Sequence, residues 1–287
     1  MDTKVISILN MKGGVGKSTV TINLAHTLSS LHNKKVLVID FDPQANASGG
    51  LINYETYDNH RKTKRVISDI FTDIRSIVGP LSPQAKEKKL LELEDMTCRV
   101  RSYETGAFLD LVPSELELSS VLERTGGSNI EDRLKLILRN KKNKYDIILV
   151  DCSPTYSVLT NNALKASDYV LIPVKPDPFS ARGIPMLLDK IAAHNNANSD
   201  EDKVQPLGIV FTMVDNSIQY VTSVKAEILR EHRNVFRNQI LFNEFYSRGI
   251  FGNKYILETN ATTRFKDNFK DFTVEFLSKL DVVVSIW

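Results

Sequence analysis

Residues 11–19 read Met-Lys-Gly-Gly-Val-Gly-Lys-Ser-Thr, a run of three glycines, two lysines and two adjacent hydroxyls. Glycines bring backbone N–H groups close to an anion because no Cβ stands in the way. A helix that begins where such a turn ends adds its partial positive charge. Gly13, Gly14, Val15, Gly16 and Thr19 are therefore candidates for holding phosphate. Lys17 is placed to pair with β- and γ-phosphates, and the Ser18 hydroxyl to ligate magnesium. The run departs from G-x-x-x-x-G-K-[ST] at one place, where Met11 stands for the first glycine, and it brings an additional cation, Lys12.

Phosphoryl transfer to water also needs a metal ion and an oriented water. Two apolar runs end in carboxylates. Val36–Ile39 leads into Asp40 and Asp42, which share a face because strand residues alternate. Tyr145–Val150 leads into Asp151, placed to hold magnesium through water. From the residues alone, Asp40 and Asp42 both qualify as metal-shell or water-orienting groups.

These groups need a scaffold. Val5–Leu9 reads as a strand and Ser18–Ser30 as a helix, with Val20, Leu24 and Leu28 at helical spacing. Phe108–Val112, Tyr169–Val174 and Leu207–Val214 read as strands. Ser114–Glu123, Ile130–Arg139, Arg182–His194 and Ile218–His232 read as helices. A last helix, Thr263–Leu280, carries Phe265, Phe269, Phe272, Phe276 and Leu280 on one stripe. Between Leu51 and Thr105 the pattern loosens: Arg61, Lys62, Lys64 and Arg65 form a basic cluster, Pro80 and Pro83 interrupt the chain, and Lys86–Glu94 reads as a charged helix. This stretch is an insertion, at about 51–105, on a single domain spanning 1–287. Strands alternating with helices imply an α/β fold, a three-layer, mostly parallel twisted sheet with helices on both faces. Ligands bind at the carboxyl ends of such strands. Gly13–Ser18, Asp40, Asp42, Asp151 and Lys175–Phe179 all fall there.

Bulk properties bound the rest. The 287 residues are 42% hydrophobic and 25% charged, ordinary for a globular protein of this length. No stretch approaches the ~18 apolar residues of a membrane span, and no signal-peptide pattern opens the chain, so a cytoplasmic protein is expected. A net charge of +2 is too mild to imply nucleic-acid binding from bulk charge. Cys98 and Cys152 form no CxxC pair and read as two reduced thiols.

The sequence K-G-G-V-G-K-S-T resembles the deviant phosphate loop (deviant Walker A) of the P-loop NTPase family that includes ParA, MinD, the arsenite-pump ATPase and the nitrogenase iron protein. Asp40-Phe-Asp42-Pro-Gln44 resembles the D-x-D-P-Q motif of ParA-type partition ATPases. Leu109–Leu118 is similar to the L-I-P-S-x-x-x-L segment of the partition branch. The resemblance implies ATP and Mg2+ as cofactors and slow ATP hydrolysis. It implies an ATP-sandwich homodimer in which Lys12 reaches the partner's phosphates, with Asp42 on the attacking water and Asp40 in the magnesium shell. It places the adenine between Ile172–Phe179 and Phe211–Asp215, with Pro176, Asp177, Phe179 and Met213 as candidates. With only about a dozen residues before the phosphate loop, a helix-turn-helix domain ahead of it is not expected.

The same resemblance implies that the dimer binds DNA without sequence preference, associates with the nucleoid, and is stimulated by a ParB-like centromere-binding partner. Phosphate contacts suffice for such binding. Lys225, Arg230, Arg233, Arg237 and Arg248 are the candidates, and Lys225, Arg230 and Arg233 are spaced to share a helix face. Asn216-Ser217 stands where relatives carry an arginine. The alternative is a MinD-like membrane or cargo-positioning ATPase. The membrane reading needs a basic amphipathic tail, but Lys266, Lys270 and Lys279 are balanced by Asp267, Asp271, Glu275 and Asp281, so no membrane partner is expected.

Overall fold

The computed structural model describes residues 2–63, 65–72, 91–120, 130–139 and 142–284. Lys64, Pro80, Pro83, residues 86–90 of the charged run and residues 285–287 of the apolar tail lie outside the described residues. In chain order the elements are β1 (Lys4–Ile8), α1 (Lys17–Leu31), β2 (Lys35–Phe41), α2 (Asn46–Leu51), α3 (Tyr54–Thr63), α4 (Asp69–Thr72) and α5 (Leu93–Met96). Then come β3 (Cys98–Ser102), β4 (Phe108–Val112), α6 (Arg133–Leu138), β5 (Ile147–Cys152), α7 (Val158–Ala166) and β6 (Tyr169–Val174). The chain continues through α8 (Ser180–Ala197), β7 (Gln205–Phe211), α9 (Gln219–Glu231), α10 (Glu244–Phe251) and α11 (Thr263–Val284). The strands form one sheet in the order β3-β4-β2-β5-β1-β6-β7. All pairs are parallel except β3 with β4. This is the α/β sheet with helices on both faces that the alternation implies.

Strand alternation sorts the core into two layers. Val36 and Val38 of β2 and Leu149 of β5 pack toward Leu24 and Leu28 of α1 and Phe272 and Phe276 of α11. Leu37 and Ile39, with Ile148 and Val150, pack on the opposite face toward Leu159, Leu187 and Ile228. Asp40 lies two residues beyond Val38, and Asp151 two beyond Leu149, so both carboxylates fall on the α1 face. Their strands bring them level, with Asp40 and Asp151 as register partners. The Phe stripe of α11 is core: Phe269, Phe272 and Phe276 are fully buried. Each contributes on the order of 2 kcal/mol through removal of apolar surface from water.

Several elements differ from the sequence expectation, each for a physical reason. Ser114 is not helical; helix begins only at Leu118, because the Ser114 amide is spent on a bond to Ser48 Oγ at 3.0 Å. The run 86–94 yields only the short α5 within its described part. Ile130–Asp132 is a 3-10 turn that precedes α6. The strand placed at Leu207–Val214 stops at Phe211, because Met213 takes a left-handed backbone at φ 51°. The loose stretch 51–105 holds a helix, α3, and an antiparallel edge strand, β3. The polar helix α3 buries one side chain, His60, so it presents no apolar stripe. The edge strand β3 carries arginines, as strand edges commonly do; Arg99 pairs with the buried Asp110 of β4 and Arg101 with Glu258. The described members of the basic cluster each face an acidic side chain. Arg61 faces Glu117 at 3.9 Å, Lys62 pairs with Asp58 at 2.6 Å, and Arg65 with Asp69 at 3.1 Å.

Candidate nucleotide site

Helix α1 starts with no side-chain cap; Gly16 precedes it at φ 83°. Its first-turn amides therefore lack the oxygen that usually satisfies them. Gly14 is also left-handed, at φ 72°, and a Cβ placed on Gly13 or Gly14 would meet nothing within 4 Å. The loop thus presents amides to open space, the arrangement that holds anions. It is fastened from below by three bonds. Thr212 Oγ1 donates to the Val15 carbonyl at 2.7 Å. Asn10 Nδ2 donates to the Pro173 carbonyl at 2.7 Å, and Asn10 Oδ1 accepts from the Lys12 amide at 2.9 Å. Lys17 is buried, and its ammonium lies 3.4 Å from the Lys12 carbonyl. Burial lowers the Lys17 pKa against the pull of Asp151 and Asp42.

Facing this cation are the carboxylates. Asp151 is fully buried; its Oδ1 accepts from Thr21 Oγ1 at 3.2 Å, and its Oδ2 has no hydrogen-bond partner. Burial first, and then the neighbouring Asp40, raise its pKa, with Ser18 and Lys17 opposing. Asp40 is also fully buried and raised by burial, but its Oδ2 accepts from both the amide and the hydroxyl of Ser48, each at 2.7 Å. Asp42 sits at the end of β2, where its Oδ1 accepts from the Gln44 amide at 3.0 Å. A buried carboxylate oxygen without a donor costs free energy unless a cation or water completes it. Among the described residues no three His, Cys, Asp or Glu side chains gather as a self-sufficient metal cage. Ser18 beside Asp151 and Asp40 fits instead a hard cation that keeps waters and takes other ligands from phosphate.

The loop and Asp42 border one cleft of about 310 Å³, lined by residues 13–19 with Asp42, Gln44, Asn46, Pro154, Met213 and Ile250; Asp40 and Asp151 do not line it. Met213 is thus the one adenine candidate on the cleft wall. Pro176 is buried, Phe179 is 72% exposed, and Asp177 is bonded to the Lys12 ammonium; none of these three lines the cleft. Sequence reasoning passed over Ser48, Thr21, Asn10 and Thr212. Their bonds span 8 to 197 positions; Thr212 lies in the Phe211–Asp215 segment, but nothing local shows that it bonds Val15.

The candidate DNA residues do not share one helix. Lys225 is half-buried, its ammonium bonded to Gln239. Arg233 lies past the end of α9, so the expected shared face with Lys225 and Arg230 does not form. Arg230, Arg233 and Arg237 are exposed. Arg248 is exposed and paired with Glu244 at 2.9 Å. No described helix is long and apolar enough to cross a membrane.

A Gly-rich turn between the first strand and first helix of a mostly parallel sheet, with carboxylates on adjoining strand ends, defines a P-loop nucleotide-binding protein. A family model described as an AAA domain matches residues 3–203. The sporulation initiation inhibitor protein Soj of Bacillus subtilis is 30% identical over 83% of this chain and 81% of its own length. The chromosome partitioning protein ParA of Myxococcus xanthus is 32% identical over 83% of this chain and 73% of its own. Among solved structures, one described as a plasmid partition protein from Borrelia burgdorferi bound to AMPPNP superposes with a TM-score of 0.73 at 25% identity, covering 97% of this chain and 98% of that one. The chain belongs to the ParA/Soj family of partition ATPases, within the ParA/MinD superfamily.

Proposed function

We propose that this chain is an ATP-dependent DNA partition protein: Mg-ATP drives a sandwich homodimer, the dimer binds DNA without sequence preference, and a ParB-like partner stimulates slow hydrolysis. The observation that carries the reading is the meeting of Lys17, Ser18 and Asp42 at one cleft above Asp151, whose Oδ2 lacks any donor. In this reading the amides of residues 13–19 and the Lys17 ammonium bind the β- and γ-phosphates. Ser18, Asp151 and Asp40 hold the magnesium shell, with Ser48 keeping Asp40 in place. Magnesium, when bound, supplies charge neutralisation at the phosphates. Asp42 orients the attacking water and takes up its proton, and Met213 borders the base. Lys12 meets phosphate across the dimer, where a second cation stabilises developing charge. Arg230, Arg233, Arg237 and Arg248 are the exposed DNA-contact candidates in this reading, whereas Lys225 is half-buried and bonded to Gln239.

The test is binding to arbitrary duplex DNA with and without Mg-ATP, across a salt series. The reading expects affinity that appears with ATP and falls steeply with salt. DNA affinity indifferent to ATP would remove the partition role and favour positioning of a different cargo.

A further inference from the structure

Between α9 and α10 the chain runs beside β7 through residues 234–242, with the exposed Arg237 inside this segment and the exposed Arg233 just before it. One side of the segment is held by β7 and the residues that follow it. The Phe236 and Ile240 amides donate to the Ile209 and Phe211 carbonyls, each at 2.7 Å, and the Phe242 amide donates to the Val214 carbonyl at 2.9 Å. The approach is so close that a Cβ on Gly208 would sit 2.9 Å from Asn234 Oδ1. The amides of residues 237 and 238 fall between these bonds and turn instead to α11. There Glu275 accepts from the Arg237 amide at 2.7 Å, from the Asn238 amide at 2.8 Å and from Asn238 Nδ2 at 2.9 Å. Two helical turns earlier, Asn268 accepts from the Leu241 amide at 3.1 Å and donates to the Gln239 carbonyl at 2.8 Å. Hydrogen bonds to an ionised acceptor are roughly twice as strong as neutral ones, so the Glu275 carboxylate is the main fastening on this side.

We propose that Glu275 is a positioning residue for DNA binding: it locks the two amides that flank the Arg237 Cα, so that the guanidinium projects from a fixed base toward phosphate. This rests on the reading of the chain as a DNA-binding protein with Arg237 among its contacts. The role runs against charge. A carboxylate beside a DNA-contact surface repels phosphate, so electrostatics alone expects its loss to tighten binding. Ordering works the other way. An arginine on a segment already held gives up less freedom on binding than one on a segment that the DNA must order. The sign of the effect separates the two.

The test sets Glu275→Ala against Asp271→Ala in binding to a mixed-sequence duplex with Mg-ATP, read by fluorescence anisotropy across a salt series. Asp271 lies one turn earlier on α11, is exposed, and meets the segment through its backbone carbonyl, which accepts from Asn238 Nδ2 at 3.3 Å. Its substitution removes the same charge and leaves the Glu275 bonds in place. Glu275→Ala should weaken binding about three- to tenfold and reduce the salt slope by roughly one. Asp271→Ala should bind as tightly as wild type or more tightly. Glu275→Gln, which keeps one acceptor oxygen, should fall between wild type and Glu275→Ala. Hydrogen exchange should quicken in the peptide covering 235–241 of Glu275→Ala while β1 and β5 stay protected. If β1 and β5 lose protection in that variant, Glu275→Gln carries the comparison. Unchanged or tighter binding on loss of the Glu275 carboxylate overturns the proposal, and so does equal weakening in Asp271→Ala. A wild type without ATP-dependent DNA binding removes the DNA reading itself, and this role with it.

Discussion

At the carboxyl end of β5 and the start of α1, charged groups are buried and short of partners; along and just after α3 they are exposed and supplied with them. Asp151 lies fully inside with one oxygen unbonded, and Lys17 is buried beside it with only a long contact to a carbonyl. Arg61, Lys62 and Arg65 stand at the surface, each facing an acidic neighbour. The second arrangement is cheap to maintain and does little, since exposed pairs contribute roughly 0–1 kcal/mol. The first is costly in an isolated chain and makes sense when a ligand completes it. Chemistry in this fold sits where buried charges lack protein partners, and charge count alone is a poor guide to it.

The contrast can be broken at graded strength. Asp42→Ala should reduce ATP turnover by about 100-fold or more, the scale of losing a positioned base, while Mg-ATP affinity stays within roughly threefold. Steady-state phosphate release set against nucleotide titration reads both, and wild-type turnover would refute the water-orienting role. Replacing Arg230, Arg233 and Arg237 together with Ala should weaken ATP-dependent DNA binding about tenfold or more and flatten its salt slope by roughly two to three. Fluorescence anisotropy at several salt concentrations measures this, and an unchanged slope would move the DNA surface elsewhere.

A smaller effect concerns stability. Burial raises the pKa of Asp151 above the unfolded carboxylate value, with Asp40 adding to the rise. A carboxyl that binds its proton more tightly when folded stabilises the fold at low pH, and that contribution is lost as pH rises through the folded value. Asp151→Asn should therefore raise the nucleotide-free melting temperature by about 2–4 °C at pH 8, and the gain should shrink toward pH 5. A gain independent of pH would mean that folding does not raise the Asp151 pKa. Least of all, Arg61→Ala should change stability by no more than about 0.5 kcal/mol and leave ATP turnover unaltered. A turnover loss there would show that the paired surface is functional after all.

The phosphate loop was legible because its chemistry is contiguous: residues 12–19 carry the glycines, cations and hydroxyls in one turn. Asp40 and Asp151 were legible because each ends an apolar strand, although only the register shows that they lie level. The supports were not. Ser48 reaches Asp40 because α2 folds back on β2, and Thr212 meets Val15 only through the sheet order. The edge strand β3 hid behind its arginines, and α3 behind the absence of an apolar stripe. Position at a strand end likewise does not reveal that Asp177 bonds the Lys12 ammonium. Arg233 was placed on a helix that ends at Glu231.

Nucleotide binding itself tests the account most directly. Calorimetric titration of ATP into the full chain, with and without magnesium, should show a saturable site with magnesium that weakens when the ion is removed. The same titration on Lys17→Ala should show affinity lower by about 100-fold, the scale of removing a buried phosphate-facing cation. No heat and no saturation in wild type with magnesium, or equal affinity in Lys17→Ala, would contradict a triphosphate seated in the loop between β1 and α1.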